Sequence, residues 1–260
     1  MISLRTQTLS ALLCRNADQK AQLALDLDPG AELVGASEQL LEPSGIPGRP
    51  DLPKLVAHSQ LKHRSMSTAE GRAALIHALS HIELNAVDLA LDIVWRFPGM
   101  PSDFYRHWVN VAKEEAYHFN LLRDHLRGMG YEYGDFPAHN ALWEMAEKTK
   151  GDVLARVALV PRTLETRGLD ASPPIKAKLV KAGDLRAGQI LDIILRDEIG
   201  HVALGNHWYR WVCAERGLEP VATYAELARQ YGAPKPRGPF NLIARREAGF
   251  TEEELRALES

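Results

Sequence analysis

The run ILDIILRDEIGHVAL places Asp197, Glu198 and His201 inside an otherwise apolar helical stretch. A buried charge without a partner costs several kcal/mol, so such groups are paired, neutralised or bound to metal. The Glu-x-x-His spacing of Glu198 and His201 recurs in Glu115-Ala-Tyr-His118. Residues three apart lie on one helix face, close enough to bind one metal or two neighbouring metals. Both pairs share their face with apolar residues. Around Glu115 these are Trp108, Val111, Ala112, Phe119 and Leu122; around Glu198 they are Leu191, Ile194, Val202 and Gly205. Both acid–imidazole pairs are therefore expected to point inward.

Two further helices should each add a lone inward carboxylate. Glu83 lies at helical spacing among Ile76, Leu79, Val87, Ala90 and Val94, and Glu165 shares a face with Ala158 and Pro161. Glu144 and Glu147 lie in a more polar stretch. The intervals favour Glu165: 83 to 115 is 32 residues and 165 to 198 is 33. This near-repeat suggests two helix pairs, each providing Glu…Glu-x-x-His. Four Glu and two His form the ligand set of a carboxylate-bridged di-iron or di-manganese centre. Two ions per chain are expected, iron first, with manganese or a mixed pair compatible with the same ligands. Glu114 and Asp197 each precede a motif glutamate, and are expected to orient His201 and His118 respectively. For any one of these residues the ordinary alternative is a partly buried ion pair. Glu165, three before Gly168, also reads as a solvated charge at a helix end. His77, His81, His125 and His207 lie on the same helices without matching both spacing and apolar face. Tyr117, Trp95, Trp108, Trp143, Trp208 and Trp211 read as packing residues.

Among the elements that carry these residues and flank them, residues 1–28 read as one amphipathic helix, followed to about 66 by an irregular arm containing EPSGIPGRPDLPKL. Ser67-Thr68-Ala69-Glu70 has capping-box spacing with Ser67 as cap, opening a helix to Phe97. Ser102 after PGMPS is the expected cap of a second helix, stopped at Gly128 and Gly130. A third runs from about Asn140 to Arg167, kinked at Pro161 and stopped at Gly168. LDASPP reads as a loop with a helix starting at its prolines. A fourth helix spans about Asp184 to Arg216. The tail YGAPKPRGPFNLIARREAGF reads as irregular, with Thr251 and Glu254 capping a short last helix. The expected architecture is all-α: a four-helix bundle over 67–216, between an N-terminal helix and arm (1–66) and a C-terminal strap (217–260).

A net charge of −3 gives no electrostatic basis for strong nucleic-acid binding. Cys14 and Cys213 form no CxxC pair, which excludes a cysteine zinc site and suits a reducing, cytoplasmic setting. No window approaches 18 uninterrupted apolar residues, and the N-terminus lacks a secretory pattern, so no membrane association is expected.

At HIELNAVDLALD, KEEAYHF, PRTLETRGLD, RDEIGHV and PKPRGPFNLIARREAGF the sequence resembles the ferritin-like family catalogued as domain of unknown function 455, from about residue 45 onward. The resemblance implies a ferritin-like four-helix bundle and a carboxylate di-metal centre, with a more distant similarity to tRNA-hydroxylating di-iron bundles. The CxxC pairs of rubrerythrins are absent. RDEIGH resembles a run in the ribonucleotide-reductase small subunit, but the place of that family's radical tyrosine is Leu122 here.

The expected activity is oxygen-dependent oxidation by a di-metal centre, as a hydroxylase or oxidase, with Glu115 and Glu198 bridging and Glu83 and Glu165 terminal. Its partners would be dioxygen, an external electron donor and a small-molecule or nucleotide-containing substrate; a homo-oligomer fits as well as a monomer. A ferroxidase or metal- or peroxide-handling protein, and a bundle with a purely structural metal, are the alternatives. In the tail, Arg237, Arg245 and Arg246, with Lys235 and Pro239-Phe240, read either as a packed strap or as a lid offering cations to an anionic substrate. Leu61–Arg64 could join the same face.

Overall fold

The computed structural model describes residues 2–62 and 64–258; of the segment Leu61–Arg64, His63 lies outside them. Its elements are helices α1 (Leu4–Leu12), α2 (Ala17–Leu25), α3 (Ala69–Arg96), α4 (Ser102–Gly128), α5 (Ala141–Lys148), α6 (Val153–Leu159), a π-helical segment (Val160–Glu165), α7 (Thr166–Lys181), α8 (Leu185–Glu215), α9 (Pro220–Gln230), α10 (Leu242–Glu247) and α11 (Glu252–Arg256). No strand occurs among the described residues; one isolated parallel bridge joins Leu55 and Ala138. The protein is therefore all-α. The chain divides into two compact units, Met1–Trp143 with Ala182–Ile190, and Glu144–Lys181 with Leu191–Ser260.

In the first unit α3 packs chiefly on α4, with α1 against α3 and α2 against both. The helix expected over 1–28 is two helices, because Asn16 leaves helical geometry and caps α2, its side chain accepting from Gln19 N at 2.9 Å. These helices are part of the core. The fully buried Arg5 donates to the carbonyls of Val94 (3.1 Å) and Trp95, which the end of α3 leaves without helical partners. Lys20 pairs with Asp88 inside the unit and donates to Gly48 O. The cap of α3 is Thr68, one residue beyond the expected Ser67, and Thr68 Oγ1 accepts from Gly71 N at 3.0 Å. Gly71 is needed there because a Cβ would stand 1.9 Å from the Ser65 carbonyl oxygen. Ser102 is the first residue of α4 rather than its cap; Pro101 stands before it and no side chain caps the helix. By length and composition α3 could cross a membrane, but 78% of its most apolar window is buried inside the protein, which accounts for its composition.

The second unit departs further from expectation. The third helical run is broken at 149–152 and again by the π segment, so the kink expected at Pro161 takes the form of a widened turn. Gly168 does not end a helix, and the prolines of LDASPP do not begin one. Pro173 and Pro174 lie inside α7. Pro173 has no N–H for the Leu169 carbonyl four residues back, and Asn241 Nδ2 supplies a hydrogen bond there instead (3.2 Å). The tail contributes helices α9 and α10 where none was expected. Ala244 and Ala248 are buried with Leu169 and Val202 in one apolar cluster, against which Leu195, Ile199 and Phe250 pack. Thr251 and Glu254 form the expected capping box.

Candidate metal centre

Each unit holds one half of the expected ligand set. In the first, α3 carries Glu83 on the face of Ile76, Leu79, Val87, Ala90 and Val94, all buried. Helix α4 carries Glu115 and His118 on the face of Trp108, Val111, Ala112, Phe119 and Leu122, also buried. Glu83 is 4% exposed, and Glu115 and His118 are fully buried. His118 Nδ1 stands 3.2 Å from Glu83 Oε2 and 3.4 Å from Glu115 Oε2. Each of the three offers a ligand atom within 4.8 Å of the others, a buried group that could hold a metal ion.

Burial alone would disfavour an imidazolium at His118. The hydrogen bonds to Glu115 and Glu83, reinforced by their charges, outweigh it and push the ring up to about 11. A proton at His118 thus offsets buried carboxylate charge in the way a cation would. Hard carboxylate oxygens beside one imidazole are the donors that iron and manganese take.

In the second unit α8 carries Glu198 (7% exposed) and His201 (2%), with His201 Nδ1 3.7 Å from Glu198 Oε1. Leu191, Ile194, Val202 and Gly205 on their face are buried. Glu165 is the last residue of the π segment and is half-buried. The turn that follows it lies against α8: a Cβ at Gly168 would stand 4.0 Å from Glu198 Oε2. Gly205, two turns beyond Glu198, admits the π segment itself, since a Cβ there would meet Pro161 Cβ at 3.0 Å and Arg162 N at 3.2 Å.

Of the flanking acids, Glu114 is exposed, while Asp197 is 16% exposed and paired with Arg196 at 2.7 Å. Arg245 is buried and makes a two-pronged ion pair with Asp170 (3.0 and 2.5 Å). Arg246 pairs with Glu252 at 2.6 Å and Arg237 is exposed. Tyr117, expected to pack, is 45% exposed, its ring tilted beside His118 at 6.3 Å. Trp95, Trp108, Trp143 and Trp208 are buried as expected, and Trp211 is half-buried.

His81 Nδ1 lies 2.8 Å from Tyr133 Oη and its Nε2 3.0 Å from the His139 carbonyl. His77 stacks on Tyr133 and accepts from Gly134 N at 2.9 Å. Burial lowers both rings to about 4, so they are neutral at pH 7. His125 pairs with Asp184. Sequence reasoning missed Arg162 and Thr163, whose side chains hold the π segment. The signal was Pro161 inside an apolar run together with Gly205 on the facing helix.

A family described as "Protein of unknown function (DUF455)" matches residues 8–256. The chain is also 44% identical over 262 residues to a protein described as uncharacterized from Haemophilus influenzae, covering 96% of this chain and 91% of that protein. No solved structure matches it.

Proposed function

We propose that this chain, which belongs to the DUF455 family, is a ferritin-like four-helix metalloprotein. In this reading Glu83, Glu115, His118, Glu165, Glu198 and His201 hold two metal ions, iron first, for oxygen-dependent oxidation of an organic substrate. The observation that carries the reading is the buried Glu83–Glu115–His118 group. Three such ligands without solvent need a counter-charge. The recurrence of the same residue types at 165, 198 and 201 supports a second ion. Two reduced ions held by these residues would supply the activation of dioxygen.

The chain's own residues have separable tasks. In this reading Glu115 and Glu198 would be shared by both ions, while Glu83 and His118 would hold one and Glu165 and His201 the other. An ion held by Glu83, Glu115 and His118 would need the His118 ring neutral, so metal uptake would compete with protons there. Asp197 and Glu114 are assigned to orient the two imidazoles. The exposed Arg237 remains available to an anionic or nucleotide-containing substrate, and an external donor supplies electrons.

Elemental analysis of protein purified without added metal, and again after anaerobic loading with ferrous iron, tests the reading beside Glu115→Ala and His201→Ala. Two ions per chain in the wild type, largely lost in Glu115→Ala and cut to the first ion in His201→Ala, with oxygen uptake by the loaded wild type in the presence of a reductant, are expected. Fewer than about half an ion per chain after loading overturns it.

A further inference from the structure

The π segment interrupts the α-helical backbone between α6 and α7, and it ends on Glu165. A π turn is wider and less favourable than the α turns on either side, so something must hold it. Two side chains, Thr163 and Arg162, do so. Thr163 Oγ1 donates to the Ala158 carbonyl five residues back (2.7 Å) and meets Tyr224 Oη of α9 at 3.0 Å. The guanidinium of Arg162, 4% exposed, sits over the rings of Tyr209 (5.0 Å), Tyr224 (4.4 Å) and Phe250 (5.0 Å). Its Nη2 then pairs with Glu254 of α11.

Glu254 is itself fixed. Its Oε2 accepts from Thr251 N at 2.8 Å in the capping box and stands 3.3 Å from Arg210 Nη2. Next to the π segment, Asp170 of α7 is bound by Arg245 and accepts from Asn241 N at 2.8 Å. The C-terminal segment is thus fastened to the turn that carries Glu165. It attaches through a buried ion pair inside an aromatic box, an arrangement more directional than simple apolar coverage needs.

We infer that Arg162 and Glu254 are positioning residues for the second metal ion: the C-terminal helix α11, through this ion pair, holds the π segment in the rotation that presents Glu165. The inference rests on the di-metal reading above. Neither residue is a ligand. A chain without the clamp relaxes the turn toward regular helix and turns Glu165 away, while Glu83, Glu115 and His118 on α3 and α4 are untouched. Loss of a group that orients a ligand typically weakens metal binding 10- to 100-fold, and that is the expected effect on the second ion alone.

The full chain is titrated anaerobically with cobalt(II), reading ions bound per chain and the absorption contributed by each ion. Wild type is measured first, beside Glu254→Gln and Arg162→Lys. Circular dichroism and limited proteolysis establish that each variant is folded. The expected result is two ions in wild type, and a second ion weakened about 10- to 100-fold in Glu254→Gln with the first unchanged. Arg162→Lys, which keeps the charge, should retain more of the second ion. If Glu254→Gln does not fold, Glu254→Asp retracts the same charge by one methylene and must also weaken the second ion. Two ions bound at wild-type affinity in a folded Glu254 variant overturn the inference while leaving the di-metal reading intact. A wild-type chain that binds fewer than two cobalt ions overturns the di-metal reading itself, and the inference with it.

Discussion

Glu83 stands midway along an uninterrupted 28-residue α-helix, buried, with an imidazole nitrogen 3.2 Å away. Glu165 stands at the end of a six-residue π turn, half-buried, and the acid–imidazole pair of its own unit is looser at 3.7 Å. The two carboxylates occupy matching places in a near-repeat of the chain. In the first unit, helix packing alone aligns the ligands, and Arg5 and Lys20 from the N-terminal helices stabilise the helix that carries one of them. In the second, an irregular turn depends on the clearance at Gly205 and on side chains from the C-terminal segment. The first half is preorganised. The second is assembled from more distant parts and should be easier to disturb.

The largest effect that would break this comparison is metal stoichiometry. His118→Ala is expected to abolish tight binding of the first ion, by 100-fold or about that at the least, whereas His201→Ala should remove only the weaker second one. Stepwise cobalt titration reads both. Equal losses in the two variants would mean that the halves are equivalent.

Acid should separate the halves next. The folded values of His77 and His81 are lowered by burial from 6.5 to about 4, so the unfolded chain binds more protons between those limits. Their contribution is present above about pH 6.5 and is lost as pH falls toward 4, by about 3 kcal/mol for His77. His118 is raised, so its contribution is fully present throughout that window and is lost only as pH rises through about 11. In the second unit Glu254 is buried, which opposes its charge, but Arg162, the Thr251 amide and Arg210 outweigh that and hold it below the usual carboxylate range. Its contribution therefore survives to lower pH, being lost only below the ordinary glutamate value. Hydrogen exchange on metal-free protein should show α3 and α4 loosening before α11 as pH falls from 6.5. His77→Gln, which keeps an acceptor for Gly134 N, should flatten that slope.

Two glycines of α8 sharpen the comparison at smaller scale. Gly205→Ala pushes a methyl against Pro161 and Arg162 and should cost about 1–3 kcal/mol, with loss of the second ion. Gly200→Ala meets nothing within 4 Å and should stabilise the helix by about 0.5–1 kcal/mol. Thermal unfolding distinguishes the two; a Gly205→Ala variant at least as stable as wild type would mean that the π segment does not need its clearance.

Much of the first unit was legible from spacing. Apolar positions at helical intervals placed Glu83, Glu115 and His118 inward because a helix repeats every 3.6 residues whatever it packs against. The ends of α4 and α8 and the capping box at Thr251 were legible for the same reason, being local backbone chemistry. The third run was not. Pro161, Gly168 and the Pro173-Pro174 pair are each local signals for a kink, a stop or a start. Their actual roles depended on groups far away in the chain: Gly205 across from Pro161, and Asn241 taking the carbonyl that Pro173 leaves free. The tail shows the same limit. Ala244 and Ala248 look unremarkable in sequence and are buried only because Leu169 and Val202 are there to receive them.

Residue types and their spacing are enough to show that this chain is helical, that one set of acids and imidazoles lies on apolar faces, and that those residues are of metal-binding type. Residue type and period are properties of a single segment. Packing is what brings His118 Nδ1 within 3.4 Å of two buried carboxylates, spends Arg245 on Asp170 and Arg162 on Glu254, and carries a proline-bearing helix through the point where it was expected to stop. Each of these depends on which distant group satisfies a buried charge or an orphaned backbone carbonyl, and the satisfying group is chosen by packing, not by proximity along the chain.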